Sequence, residues 1–229
     1  MQDLMISVVD AWEQPPIQSN FIVFKSDQPA VPMQEGGDYF QKCKRYAREQ
    51  GAYVVTGLMN IADFLCVCMF GPNGKLAGAQ RALFYEQNNR ELYKKSSNLA
   101  VFPTPYGKVF LCVDADIYSP EVQRYARLAG AEVVVCAQWF PAERYNEARI
   151  WTGAWGAAQT NNFLAIAANN NGAAICAPYL TSIDNTGYLS KPGQTASTIF
   201  NVSRLMEIHS DYFSSQFNRK LFAAHRDLL

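Results

Sequence analysis

The stretch "VFLCVDADIYSPE", Val109 to Glu121, decides how the rest of the chain is read. It opens as an apolar run of the kind that forms a buried strand. Two carboxylates, Asp114 and Asp116, interrupt the run. Ser119, Pro120 and Glu121 then read as the N-cap, the first helical position and the first-turn acid of a helix that runs through "VQRYARL" to Gly130. A strand that turns straight into a helix displays one side chain at the turn, and that is where a nucleophile can be held. The candidates here are Cys112 and Asp114.

Working outward, strands and helices alternate along the whole length. "NFIVFKSD", Asn20 to Asp27, is a strand, and "GGDYFQKCKRYAREQGA" is a helix capped by Asp38 and stopped at Gly51. "YVVTGL" is a strand, and "FLCVCMFGPNGKLAGAQRAL" is a hairpin about "GPNG". A second hairpin turns at "PYGK" and leads into the opening stretch. Beyond it come the strand "EVVVCAQW", a small-residue helix "ARIWTGAWGAAQTNN", the strand and turn "FLAIAANNNG", two strands about "IDNTG" in "AAICAPYLTSIDNTGYLSK", and the strand "STIFNVSR". No Pro/Gly/Ser linker divides them. The reading is a single α/β domain over 1–229, with mixed sheets packed face to face and helices outside. Residues 207–229 form a tail whose aromatics need cover, and we take it to pack on a partner subunit.

Composition narrows the function. The 229 residues are 49% hydrophobic and 17% charged, below the roughly 25% charged of an average soluble domain, so part of the surface is expected to be covered by another chain. The formal net charge is zero, which argues against nucleic acid and membrane surfaces as partners. No apolar run approaches the ~18 residues of a membrane span. "MQDLMISVVDAWEQPP" carries Asp3, Asp10 and Glu13 and no basic leader region. The six cysteines lie in apolar segments without a C-x-x-C pair, as expected of reduced thiols in a cytoplasmic protein. His209 and His225 both fall in the tail, so no metal site is expected. Neither a G-x-G-x-x-G nor a P-loop occurs, since "GPNGK" is followed by Leu76, and no cofactor is expected.

The order of these pieces resembles the carbon–nitrogen hydrolase, or nitrilase, superfamily. "FIVF", "GAYVVTGL", "GPNGKLAGAQR", "FPTPYGKVFLCVDADIYSPE", "NNFLAIAANNNG" and "YLTSIDNTGYLS" follow one another as the family's own segments do, from about Asn20 to about Leu205. The resemblance implies a four-layer αββα sandwich that self-associates as a homodimer or higher homo-oligomer. It also implies hydrolysis at non-peptide C–N bonds by a Glu–Lys–Cys triad, with thiolate nucleophile, carboxylate base and cationic stabiliser of the tetrahedral anion.

The triad does not carry over residue by residue. Where the family has "PE" after the first strand, this chain has Lys25 and Ser26. Where it ends a hairpin in lysine, this chain has Arg81 and then Ala82. Counted back from Pro120-Glu121 without a gap, the nucleophile position is Asp114. Anchoring on "C-x-D" instead makes Cys112 the nucleophile, but requires two extra residues in a tight elbow, so the ungapped count is preferred. An active reading would then need Cys112 with a base or cation from displaced positions such as Glu35 or Glu86. The family's "R-A-x-E-N" also reads Ala157, Thr160 and Asn161 here. The expectation is a family scaffold without the family reaction. It would bind a small polar ligand or assemble, as a homo-oligomer or with an active paralogue. Residues 1–16 are few for the usual first strand and helix, so they must do the work of both or leave one out.

Overall fold

The computed structural model describes residues 3–84, 92–141 and 146–208, and the backbone alone at 33–36. Two mixed β-sheets stack face to face. In the first, β1 (Leu4–Val9), β2 (Phe21–Phe24) and β3 (Tyr53–Val55) run parallel. β13 (Ala196–Phe200) pairs antiparallel with β1 at the edge. At the other side β3 and β4 (Met59–Ile61) pair in turn with β5 (Phe64–Phe70), which also carries β6 (Leu76–Arg81). The second sheet has the order β12-β11-β10-β9-β8-β7. Its centre is parallel: β8 (Gly107–Val113), β9 (Val133–Gln138) and β10 (Leu164–Asn169). β7 (Val101–Thr104), β11 (Gly172–Cys176) and β12 (Tyr188–Gly193) add antiparallel edges.

The side-chain alternation explains why the central strands read as unbroken apolar runs: they are buried on both faces. On β8, Val109, Leu111 and Val113 enter the core between the sheets, with Leu4, Val23, Val67, Val135 and Ile166. Phe110 and Cys112 face the other way, into a second core under the outer helices. That layer consists of α2 (Pro120–Leu128) and a continuous helical run: α3 (Glu147–Ile150), a π-turn (Trp151–Trp155) and α4 (Gly156–Asn161). On the far side α1 (Met33–Gln50) covers Ile22, Phe24, Cys68 and Phe70 through Cys43, Tyr46 and Ala47. The result is helix, sheet, sheet, helix. α5 (Ser203–Ile208) ends the described chain, so nearly all of the tail lies outside the described residues.

One local expectation is corrected, the start of the first helix, and the short N-terminus leaves out a helix as expected. α1 begins at Met33, five residues before Asp38, because Val31 is bridged to Met59 and Pro32 leads directly into the first turn. No helix joins β1 to β2; residues 10–20 cross as a loop held by Lys25 N–H on the Val9 carbonyl and by the Ser7–Ser19 hydroxyl pair at 2.7 Å. Where the sequence has a Ser119 cap, the structure keeps it: Ser119 Oγ accepts from the Val122 N–H and Pro120 occupies the first turn of α2.

Candidate functional site

β8 stops at Val113, and the next residue turns. Asp114 takes φ +52° and opens a 3₁₀ turn, Asp114–Tyr118, that feeds α2. A left-handed conformation is costly for most L-residues but is reached comparatively readily by Asp. The side chain at the elbow is therefore Asp114, 4% exposed. Cys112 lies two residues earlier inside the strand, in the core beneath the helices. It lies in register with Cys136 on the neighbouring strand. Burial pushes the Cys112 thiol well above its usual range, and Cys136 and the carboxylates Asp116 and Asp114 push it the same way. All these influences favour the protonated thiol, which is the opposite of an activated thiolate.

The elbow is held from two sides. Gln138, where β9 ends, donates from Nε2 to the Asp114 carbonyl at 3.2 Å and to Tyr118 Oη at 3.0 Å. Asp116, fully buried, accepts the Leu83 N–H at 3.0 Å and the Phe84 N–H at 2.7 Å, both on Oδ1. Its second oxygen lies 3.2 Å from the Leu83 nitrogen. Burial raises the Asp116 carboxyl to about 7; backbone hydrogen bonds from Phe84, Leu83 and Val113 oppose the rise, and the Asp114 charge adds to it.

The other expected positions lie at strand ends as well. Ala82 follows β6, is fully buried, and points with Gln80 into the protein. Arg81 points outward and lays its guanidinium 4.1 Å from the centre of the Phe64 ring. Ser26, two residues past β2, is buried and accepts the Leu58 N–H on Oγ at 3.0 Å. Lys25 beside it is buried and paired to Asp10 at 3.0 Å. Through Asp116 the structure brings the Ala82 strand end against the Asp114 elbow, while Ser26 is engaged with the Gly57–Leu58 backbone. Glu86 lies outside the described residues, as does the side chain of Glu35. Among the described residues no three His, Cys, Asp or Glu side chains cluster as a metal site, and no helix is long and apolar enough to cross a membrane.

Three polar residues were not singled out by sequence reading. Gln138 and Asn169 end the adjacent strands β9 and β10 in register with each other. Tyr118 closes the elbow turn. Their signal was a lone polar residue terminating an apolar strand, "VVVCAQ" and "LAIAAN". Asn169 is fully buried, and its Nδ2 has no hydrogen-bond partner among the described residues. A separate cavity of about 540 Å³ opens on the outer face between α2 and α4, lined by Tyr118, Glu121, Arg124, Tyr125, Leu128 and Asn161 among others.

Comparison with known proteins agrees on one family. The carbon-nitrogen hydrolase family profile matches residues 15–195. A probable nitrilase of Schizosaccharomyces pombe is 35% identical over 65 residues, which are 28% of this chain and 24% of that one. Among solved structures, a carbon–nitrogen hydrolase from Helicobacter pylori superposes with a TM-score of 0.77 at 15% identity, covering 99% of this chain and 98% of its own. Saccharomyces cerevisiae Nit3, of branch 10 of the nitrilase superfamily, superposes with a TM-score of 0.77 at 12% identity, covering 95% and 97%. An amidase from Nesterenkonia sp. gives 0.70 at 13% identity, covering 91% and 96%.

Proposed function

The chain belongs to the carbon–nitrogen hydrolase family, and from that premise we propose that it keeps the family scaffold without the family's amide or nitrile hydrolysis and serves as a binding or assembly subunit. The observation that carries this reading is the occupant of the elbow. Asp114 stands where a nucleophile is displayed, and the nearest thiol, Cys112, faces the helix-side core with its protonation favoured. A carboxylate there does not replace a thiolate. Ala82 cannot stabilise an oxyanion, and Ser26 cannot act as a base near neutral pH. The active alternative, Cys112 with Glu35 or Glu86, draws no support from the described contacts of Cys112.

The expected result is no turnover above buffer on a panel of aliphatic and aromatic amides, nitriles and ureido compounds. Turnover that disappears in Cys112→Ala would overturn the reading.

The assembly role rests on the face of α2 and α4. Tyr125 and Leu128 are 56% and 62% exposed there, and Asn161 Oδ1 is a buried acceptor with no donor among the described residues. Glu121 and Arg124 lie about one turn apart on α2. A second copy packed antiparallel would therefore set each Arg124 against the other's Glu121. Mixed assembly with an active paralogue would use the same face, and all of this fits a cytoplasmic protein with reduced thiols. Sedimentation should give a dimer that Leu128→Asp converts to monomer; a wild-type monomer at micromolar concentration would overturn the assembly part alone.

A further inference from the structure

The candidate site is assembled from two sheets, so something must fix the end of β6 relative to the end of β8. Asp116 makes that join. It lies two residues past the elbow and is fully buried. It collects the N–H groups of Leu83 and Phe84, the first two residues after Ala82, and a backbone bond from Val113. Ala82 itself is anchored on the other side, its N–H on the Leu65 carbonyl at 2.8 Å and its carbonyl accepting from Ser96 at 3.1 Å.

We propose that Asp116 is a positioning residue, a latch that clamps the chain leaving β6 onto the Asp114 elbow and holds it more tightly when ionised than when protonated, so that the shape of the site responds to pH. The proposal rests on the binding-site reading above and gives that site a regulator. Its physical basis is the kind of partner on each oxygen. The carboxylate's hydrogen-bond partners among the described residues are N–H donors. An ionised carboxylate satisfies donors with both oxygens, and such charge-assisted bonds are the stronger ones. A protonated carboxyl becomes a donor at one oxygen and turns that O–H toward other donors. One oxygen of the clamp is then lost, and the Leu83–Phe84 segment is held by the remaining one.

Burial sets where the change occurs, near neutral pH, since it raises the carboxyl to about 7. Among the described residues the titratable groups that feel this carboxyl or its neighbour are few. Asp114 faces it on the elbow and raises it. Cys112 on β8 feels both carboxylates and stays protonated, beside Cys136 on β9. Tyr93, ahead of β7, is raised by burial and by the Asp114 charge and stays neutral in this range. The segment leaving β6 presents backbone amides at Leu83 and Phe84.

The test follows the two amides directly. The full chain is labelled with ¹⁵N-leucine and ¹⁵N-phenylalanine, and the Leu83 and Phe84 amide protons are tracked from about pH 5 to about pH 9, a range that brackets the titration. Both are expected to move downfield together on ionisation, with a shared midpoint near 7. Asp116→Asn should abolish the titration. Asp114→Asn should keep it and lower the midpoint, because a neighbouring negative charge has gone. Flat amides in the wild type, or amides that still titrate in Asp116→Asn, would overturn the latch. If Asp116→Asn does not fold, an unchanged midpoint in Asp114→Asn overturns it equally. None of these readouts needs a ligand or turnover, so the latch can fail while the non-catalytic reading stands, and the reverse.

Discussion

A single amide nitrogen, Gln138 Nε2, donates to both the Asp114 carbonyl and Tyr118 Oη, at 3.2 and 3.0 Å. It ties the first and last residues of the elbow turn to the end of β9. The neighbouring strand therefore braces an elbow whose leading residue has a positive φ. Gln138→Leu should remove both bonds and leave the Asp114 carbonyl buried without this donor, lowering stability by about 1–3 kcal/mol. Tyr118→Phe leaves the Asp114 bond intact and should cost about 1 kcal/mol or less. Urea unfolding of the two variants checks the order; equal losses would mean that the elbow is braced elsewhere.

Which parts of this were legible follows from how local their causes are. Ser119-Pro120-Glu121 announced α2 because a cap is a short-range device, and counting back from it placed Asp114 at the turn. The αββα architecture came through the family-like order of segments. β4 leaves no signal of its own, since Met59–Ile61 is a strand only by pairing with the start of β5. The start of α1 was misplaced at Asp38 because a bridge from Val31 to Met59 outweighs a capping side chain. The partners of Asp116 were invisible for a stronger reason. They are backbone N–H groups 32 and 33 residues away, and a backbone amide leaves no mark on sequence.

The thiols give a second prediction. All six cysteines are buried and free, and burial raises Cys43, Cys68 and Cys176 to about 12. Iodoacetamide at about pH 7.5 meets almost no thiolate at such groups. Labelling of the folded protein should therefore be slow at all six, and should accelerate together with urea as the chain opens. Rapid labelling of Cys112 alone would instead indicate an activated nucleophile.

Stability should also depend on pH through Asp116. Its carboxyl lies at about 7 in the folded protein against a reference value of 3.8. Below the reference value both states hold the proton. Between the two values only the folded state does, so stability falls as pH rises through this window, by up to about 4 kcal/mol at the top of it. Glu121 and Asp184 act in the opposite sense. Their folded values are lowered, Glu121 by its own backbone N–H and Ser119, Asp184 by the Thr186 side chain and backbone, and their contribution disappears only in more acid solution. The difference in unfolding free energy between wild type and Asp116→Asn isolates the buried group. It should shift toward the variant on going from about pH 5 to about pH 8; a pH-independent difference would mean that Asp116 does not titrate in the folded protein.

Gly57 tests how closely the Ser26 strand end is packed. A Cβ added there would lie 3.0 Å from the Lys25 carbonyl oxygen, 3.0 Å from the Ser26 Cα and 3.1 Å from Ser26 Oγ. The two shortest contacts are backbone, so they cannot be relieved by turning a side chain. The backbone they belong to is fixed by the Leu58 N–H on Ser26 Oγ and the Lys25 N–H on the Val9 carbonyl. Gly57→Ala should therefore cost about 1–3 kcal/mol, as overpacking does in a well-filled interior. Ser26→Gly on its own removes the acceptor for the Leu58 N–H and should cost about 1 kcal/mol. Combined with Gly57→Ala it should restore little, because the Lys25 oxygen and the Cα of residue 26 remain. Thermal unfolding of the two single variants and the double variant separates the cases: near-additive losses support a rigid backbone at this strand end, and a large rescue would locate the clash in the Ser26 hydroxyl alone.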